Sequence, residues 1–289
     1  MPKRTLGSIV VQVAPLLTVL DGPMGTELDA RGADTRLPLW SARALFERPE
    51  TVSAIHRDFA RAGATVHTTN TFRARRRTLG ARWEEGARLA VALARGAVPN
   101  DHRVAGGIAP LEDCYRPDLS PEHAEDEHRE LAEVLADAGC DLLLCETFTH
   151  PREALDAVRA AVRTGRETWL ALSAGPDASL MSPSTMADAA RAATDLGAQA
   201  ILVNCVGVLQ IDVYVGALIA AVGARVPVGA YANAGHADDR IGWTADRTLG
   251  GARYAEHARA WIDEGATIVG ACCGTGPEHV AALAALRDG

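Results

Sequence analysis

The sequence predicts a single (β/α)8 barrel, because strand and helix patterns alternate, one helix-to-strand joint recurs, and the length suits that fold. The chain has 289 residues, of which 48% are hydrophobic and 23% charged, as expected of a globular protein with an aliphatic core. Such barrels run to roughly 250 residues as one unit. We therefore expect one domain spanning residues 1–289. A doubly wound open sheet would also alternate strands with helices and stays an alternative.

Four segments share a helical stretch that ends at a glycine and passes at once into a short apolar strand. The four glycines are Gly63, Gly139, Gly197 and Gly265. Glycine suits this place because helices commonly end in the left-handed conformation, and a continuous apolar run is typical of a buried parallel strand. The four strands are expected to end at Asn70, Glu146, Cys205 and Cys272.

The remaining strands and several helices follow from apolar patterning. Strands are expected at Leu16 to Leu20, Val104 to Ile108, Thr168 to Ser173 and Val226 to Tyr231, which makes eight in all. Helices are expected at Pro49 to Ala62, Glu122 to Ala138, Pro151 to Thr164, Met186 to Leu196 and Ala252 to Glu264. Active sites of this fold lie at the carboxyl ends of the strands. One pocket should therefore collect Asp21, Asn70, Glu146, Cys205, Asn233, Cys272 and Cys273.

Charge and hydropathy exclude several classes of partner. The net charge of -8 argues against nucleic acid, which requires a clustered excess of Lys and Arg. No apolar run approaches the roughly 18 residues of a membrane span. The apolar stretch from Ile9 to Leu20 leads into Asp21 without a cleavage site, which favours a strand over a signal peptide. We expect a cytoplasmic protein whose six cysteines are thiols, ligands or core residues.

Three cysteines at strand ends suggest a zinc site. Thiolates bind zinc readily, and a catalytic site keeps three protein ligands with a fourth position open. Cys272 and Cys273 can share one ion only where the strand breaks into a turn, which Gly270 and Gly274 permit. A pair of core thiols or a vicinal disulfide explains the adjacent cysteines equally well. The other cysteines are expected to be packing residues, namely Cys114, Cys140 and Cys145.

Two acidic residues at strand ends suggest an amine-binding pair. Glu146 follows a purely apolar run, where burial is costly without a cationic partner, and a substrate amino group would be such a partner. Asp21 could share it. Asp21 could instead cap the next helix, and Glu146 could pair with an arginine. The amides of Asn70 and Asn233 could simply satisfy loop backbone groups.

Eight short blocks along the chain carry a family resemblance. They are Asp21-Gly-Pro-Met-Gly-Thr-Glu-Leu28, Pro38-Leu-Trp-Ser-Ala42, Thr69-Asn-Thr-Phe72, Gly106-Gly-Ile-Ala-Pro110, Cys145-Glu-Thr-Phe148, Val203-Asn-Cys205, Tyr231-Ala-Asn-Ala-Gly235 and Gly270-Ala-Cys-Cys-Gly-Thr275. Together they resemble the homocysteine S-methyltransferase family, whose members include stand-alone enzymes, the betaine enzyme and the homocysteine module of methionine synthase. The blocks run from near residue 20 to near residue 280.

The resemblance implies a role for each site residue. It assigns zinc to Cys205, Cys272 and Cys273, and the homocysteine amino group to Asp21 and Glu146. Backbone amides near Gly22 would receive the substrate carboxylate, Asn70 would join the substrate-binding residues, and Asn233 is a candidate oxygen ligand of the metal when substrate is absent. Two departures, Pro23 for the usual Gly or Ala and Ala271 for Gly, put the shape of two loops in doubt.

The expected reaction is methyl transfer to homocysteine, giving methionine, from S-methylmethionine or S-adenosylmethionine. The Pro38-Leu-Trp-Ser block resembles the stand-alone enzymes, while the Thr69-Asn-Thr-Phe block resembles the methionine synthase module and keeps a corrinoid protein partner open. Betaine is less favoured, because the betaine enzymes carry a C-terminal arm and this chain stops soon after its last helix. Another thiol or selenol acceptor stays open. A non-catalytic zinc-binding or redox-sensing protein is the alternative of another class.

Overall fold

Eight parallel strands close into a barrel in this computed structural model, which describes residues 17–238, 242–245 and 249–287. The strands are β1 (Thr18–Val19), β2 (Val66–Thr68), β3 (Arg103–Ile108), β4 (Leu142–Phe148), β5 (Glu167–Leu172), β6 (Ala200–Gly207), β7 (Val228–Asn233), β8 (Gly235–Asp238), β9 (Gly242–Ala245) and β10 (Ile268–Ala271). The barrel order is β1-β10-β7-β6-β5-β4-β3-β2, while β8 and β9 form a separate antiparallel hairpin. A parallel bridge between Leu20 and Val66 joins β1 to β2 and closes the ring.

The closed ring confirms the (β/α)8 prediction and excludes the open sheet, which would leave two free edges. Leu16, the expected start of the first strand, lies outside the described residues with the rest of residues 1–16. The predicted strands otherwise match within a few residues. No helix in the described ranges is long and apolar enough to cross a bilayer.

Helices cover the outside of the barrel. They are α1 (Met24–Ala30), α2 (Arg43–Glu47), α3 (Pro49–Ala62), α4 (Arg76–Leu79), α5 (Trp83–Arg95), α6 (Glu125–Asp137), α7 (Pro151–Arg163), α8 (Pro183–Leu196), α9 (Asp212–Val222), α10 (Gly251–Glu264) and α11 (Pro277–Ala284). Short 3-10 turns occur at Trp40–Ala42, Gly80–Arg82, Pro117–Leu119 and Ala285–Arg287. The four joint glycines all have positive φ, as predicted: Gly63 at 103°, Gly139 at 95°, Gly197 at 109° and Gly265 at 123°.

The core has two layers, because alternate strand residues point to opposite faces. The larger layer lies between the strands and the helices. The inner layer fills the barrel with residues such as Leu20, Leu144 and Leu202. At its carboxyl end the inner layer finishes in thiols and a phenol rather than aliphatic groups: Cys205, Tyr231, Cys272 and Cys273. The packed interior therefore forms the floor of the site.

Candidate active site

A cavity of about 790 Å³ opens at the carboxyl ends of the barrel strands. Seven of the eight residues singled out from the sequence line it: Asp21, Gly22, Asn70, Glu146, Cys205, Cys272 and Cys273. Asn233 ends β7 but is not part of this wall. Cys114, expected to be a packing residue, is buried and also lines the cavity. The structure thus brings together residues separated by some two hundred and fifty positions in the chain.

The three predicted zinc ligands converge. Cys205, Cys272 and Cys273 are buried free thiols whose sulfur atoms lie within 4.8 Å of one another. The Sγ atoms of Cys205 and Cys272 are 2.7 Å apart. Tetrahedral zinc, with bonds of about 2.3 Å, would hold its sulfurs about 3.8 Å apart, so a small outward shift would give the Cys205 and Cys272 sulfurs that spacing. The donor set therefore fits a thiophilic metal ion.

Local distortions of the backbone bring these three thiols together. Cys205 has a φ of 53°, and the pairing of β6 with β7 shifts register just after Asn204, so this cysteine leaves the strand's regular alternation. Cys272 and Cys273 follow the last residue of β10, and Gly274 turns the chain with a φ of 79°. Hydrogen bonding to Cys272, followed by burial, raises the pKa of the Cys205 thiol well above its usual range.

The two departures from the family pattern are accommodated. Ala271 is the last residue of β10 and pairs with Ala232 of β7, so its extended backbone does not require glycine. Pro23 is the N-cap of α1 with a φ of -74°, which the proline ring favours. Both residues therefore suit the backbone conformation that they occupy.

Asp21 and Glu146 form the acidic side of the cavity. Asp21 Oδ2 accepts a hydrogen bond from the Thr68 backbone N–H at 3.0 Å, and the Tyr231 hydroxyl donates to Glu146 Oε2 at 3.4 Å. Burial raises the pKa of Asp21 well above its usual range and that of Glu146 to about 7. Both carboxyls thus favour the neutral state until a cation arrives.

The simpler roles considered for these acids do not occur within the described residues. Helix α1 has no side-chain cap, so Asp21 does not serve as one. No arginine or lysine of the described chain makes an ion pair with Glu146. The pair is therefore free to receive a cationic group from the cavity.

Sequence reasoning missed Asn204, which links the two sides of the site. This buried side chain lies between the strand ends and bonds Thr147 twice: Oδ1 accepts from the Thr147 N–H at 3.1 Å, and Nδ2 donates to Thr147 Oγ1 at 2.8 Å. Thr147 has a φ of 65° and follows Glu146, while Asn204 precedes Cys205. The signal in the sequence was a polar residue, Asn204, within the largely apolar run of β6.

Comparison with known proteins identifies the chain. The sequence model of the homocysteine S-methyltransferase family matches residues 18–286. The chain belongs to the homocysteine S-methyltransferase family. A homocysteine S-methyltransferase of Escherichia coli is 32% identical over 93% of this chain and 94% of its own length. An S-methylmethionine–homocysteine S-methyltransferase of Pongo abelii is 26% identical over 91% of this chain and 76% of its own length.

A solved structure has the same fold. The homocysteine methyltransferase MmuM from Escherichia coli, in its metallated form, aligns with a TM-score of 0.77 and 26% identity, covering 94% of this chain and 96% of its own. This homocysteine S-methyltransferase family member is thus a methyltransferase with a cysteine cluster that could bind a metal.

Two amides of this methyltransferase stay incompletely bonded among the described residues. Asn70 donates from Nδ2 to the Ser41 carbonyl at 2.9 Å, while its buried Oδ1 lacks a partner on the cavity wall. Asn233 is 1% exposed, and neither amide atom bonds a described residue. A buried amide without partners costs about 1–3 kcal/mol, so both favour a ligand or water nearby.

Aromatic residues also line the methyltransferase cavity. Trp40 and Phe72 pack edge to face with ring centroids 5.4 Å apart, and Tyr115 joins them on the wall. Gly25 makes room for this arrangement, since a Cβ there would lie 2.2 Å from the Trp40 ring. An aromatic lining suits a cation, because cations are attracted to the faces of such rings.

Proposed function

We propose that this chain is a zinc-dependent homocysteine S-methyltransferase that transfers a methyl group from S-methylmethionine or S-adenosylmethionine to homocysteine, giving methionine. The observation that carries the proposal is one cavity in which three thiols face a buried acidic pair. Homocysteine carries a thiol at one end and an ammonium and carboxylate at the other. The two ends of the cavity match the two ends of that substrate.

Asp21 and Glu146 would hold the substrate ammonium. Ionising either buried carboxyl without a cationic partner costs free energy, which is why both pKa values are raised. Pairing with a cation stabilises the charged forms. Backbone amides near Gly22 would take the substrate carboxylate, and Asn70 Oδ1, which lines the same cavity, is an available acceptor for an ammonium N–H. Packing requires glycine at residue 22, since a Cβ there would lie 2.5 Å from the Phe59 ring.

Cys205, Cys272 and Cys273 would hold zinc, with Asn233 as a candidate oxygen donor when substrate is absent. Three thiolates on zinc leave a fourth position where a substrate thiol would lose its proton and stay nucleophilic. The convergence of three buried thiols supports this assignment, because zinc takes thiolate ligands and would displace their protons on binding.

Methyl transfer forms a bond between the homocysteine sulfur and the methyl carbon. The bond from that carbon to the donor sulfonium breaks, and its electron pair stays on the donor sulfur. The thiol proton is released to solvent. The chain contributes orientation by fixing both ends of homocysteine, and Trp40, Phe72 and Tyr115 offer the sulfonium donor an aromatic surface. The Pongo abelii relative's use of S-methylmethionine supports the same donor here.

The test is a methyl-transfer assay on protein of known metal content. Homocysteine is offered with S-methylmethionine, S-adenosylmethionine, betaine and methylcobalamin in parallel, and methionine is measured. We expect methionine from a sulfonium donor, with zinc near one per chain. Transfer from betaine or methylcobalamin alone would overturn the donor assignment. Zinc without transfer from any donor would contradict the homocysteine proposal and direct the search to a corrinoid protein or another thiol.

A further inference from the structure

Two buried histidines that do not line the cavity lie beside Asp21. His56, on α3, and His67, on β2, are both 0% exposed. Their Nδ1 atoms are 3.9 and 4.0 Å from the same oxygen, Asp21 Oδ2. One ligand atom from each of the three residues lies within 4.8 Å of the other two. The methyl-transfer chemistry above uses neither histidine.

The facing atoms of the two imidazoles are unsatisfied. Within the described ranges, neither nitrogen of His56 and not the Nδ1 of His67 has a hydrogen-bond partner. Burial lowers the pKa of His56 to about 4 and that of His67 to about 3, so both rings are neutral at neutral pH. Neutral imidazole is the form that binds metals. The cluster therefore presents ligands rather than cations.

His102 fixes the direction of one ring. His67 Nε2 and His102 Nδ1 are 3.0 Å apart, which is a hydrogen bond between the two rings. When His67 donates through Nε2, its Nδ1 directs a lone pair at the Asp21 carboxylate. Once Asp21 is ionised, that lone pair and the carboxylate repel each other unless a cation lies between them. Such an outer hydrogen bond on a ligating histidine is the usual arrangement in metal sites.

We propose that Asp21, His56 and His67 form a second site, separate from the thiols, for a divalent transition-metal ion. Two imidazole nitrogens and one carboxylate oxygen suit zinc, cobalt or nickel, whereas magnesium and calcium prefer oxygen alone. Ligands about 2.0–2.1 Å from a tetrahedral ion lie about 3.3 Å apart. Binding would therefore shorten the two histidine–Asp21 distances by about 0.6 and 0.7 Å.

An ion at this site inhibits the enzyme, a consequence that rests on the proposed function. The ion neutralises the charge of Asp21, which is the carboxylate assigned to bind the substrate ammonium. It also places positive charge beside that ammonium, which repels it. Metal in excess of the thiol site should therefore compete with homocysteine, and a higher homocysteine concentration should relieve the inhibition.

The experiment titrates cobalt into the full chain already carrying one zinc on the thiols. Cobalt at the second site gives visible d–d bands without the near-ultraviolet charge-transfer band of a thiolate ligand. We expect one additional cobalt per chain. H56Q and H67L each remove one ligand and should weaken cobalt binding by at least about 100-fold, beyond the usual effect of an outer-shell change. H123Q removes an exposed histidine elsewhere and should bind cobalt as the wild type does.

Either of two results overturns the second site: no cobalt beyond zinc exchange at the thiols, marked by a thiolate band, or unchanged binding in both histidine variants. Thermal unfolding shows which variants fold. H56Q and H67L lie on different elements, and one folded variant is enough for the binding test. Methyl transfer without cobalt binding overturns this inference alone. Cobalt binding without methyl transfer to homocysteine instead overturns the proposed function and leaves the metal site standing.

Discussion

The thiol end and the acidic end of the cavity reach their geometry in different ways. Cys205 and Cys272 contact each other directly, with sulfurs 2.7 Å apart. Asp21 and Glu146 are each held by the protein, through the Thr68 N–H and the Tyr231 hydroxyl. Burial favours the uncharged forms of the two acids, while the hydrogen bond to Cys272 and then burial favour the uncharged form of Cys205. Metal coordination would therefore require the thiols to move apart, whereas the acids are already held in place and would need only to ionise.

Removing a thiol should have the largest effect. C272A leaves two sulfurs, and we expect loss of tight zinc binding together with at least a 1000-fold fall in methyl transfer, roughly 4 kcal/mol in transition-state stabilisation. Metal analysis and initial rates measure the two losses. C140A is the matched control, since Cys140 is a buried thiol that does not line the cavity. Full zinc content in C272A would show that the cluster is not the metal site.

Neutralising an acid should separate substrate binding from metal binding. E146Q removes one charge from the ammonium site, and we expect KM for homocysteine to rise about 10- to 100-fold, or about 1.4–2.7 kcal/mol, with zinc content unchanged. Steady-state kinetics and metal analysis test this split. A variant that lost zinc but kept its KM would reverse the assignment of the two ends.

The same variant makes a prediction about stability. The pKa of Glu146 is raised from 4.5 to about 7 by burial, so the folded carboxyl holds its proton to higher pH than the unfolded one. Its contribution to the free energy of unfolding is therefore lost as pH rises from about 4.5 through 7. Above pH 7, apo E146Q should be more stable than the wild type by about 1–3 kcal/mol. Denaturant unfolding at pH 5 and pH 8 measures the difference, which should shrink at pH 5.

Substrate affinity should follow the same ionisation. Methionine has the ammonium of homocysteine but no thiol to titrate, so its binding reports the acidic end alone. We expect its affinity to fall by up to about tenfold per pH unit below 7, as Glu146 takes up a proton. Calorimetric titration from pH 5.5 to 8 measures the slope. E146Q should bind weakly with a flatter profile, and an equally steep one would assign the dependence to another group.

Removing the hydrogen bonds between Asn204 and Thr147 should have the smallest effect, and it should weaken both zinc binding and homocysteine binding. N204L removes both bonds to Thr147, and we expect zinc affinity and homocysteine affinity each to weaken about 3- to 30-fold, or roughly 1–2 kcal/mol. T147S keeps the hydroxyl and should behave as the wild type. Chelator competition and KM are the readouts. A lower melting temperature with both affinities intact would make the link structural only.

The sequence by itself determined the barrel and the membership of the site. Alternating apolar patterns and the joint glycines, such as Gly63 and Gly197, are local signals, and each was confirmed by a positive φ at the end of a helix. Because strand ends meet at one face of a barrel, reading them off in order was enough to place Asp21, Glu146 and the three cysteines on one cavity. The resemblance of the eight short blocks to the family then supplied the expected reaction and the expected role of each residue.

Only the tertiary structure decided the contacts. The left-handed backbone of Cys205, the double hydrogen bond between Asn204 and Thr147, and the approach of His56 and His67 to Asp21 join residues on different strands and helices. Such contacts depend on strand register and on how a helix packs across the barrel, and local patterning carries neither. A polar side chain in an apolar strand shows that a partner must exist, but the packing of the whole barrel selects that partner.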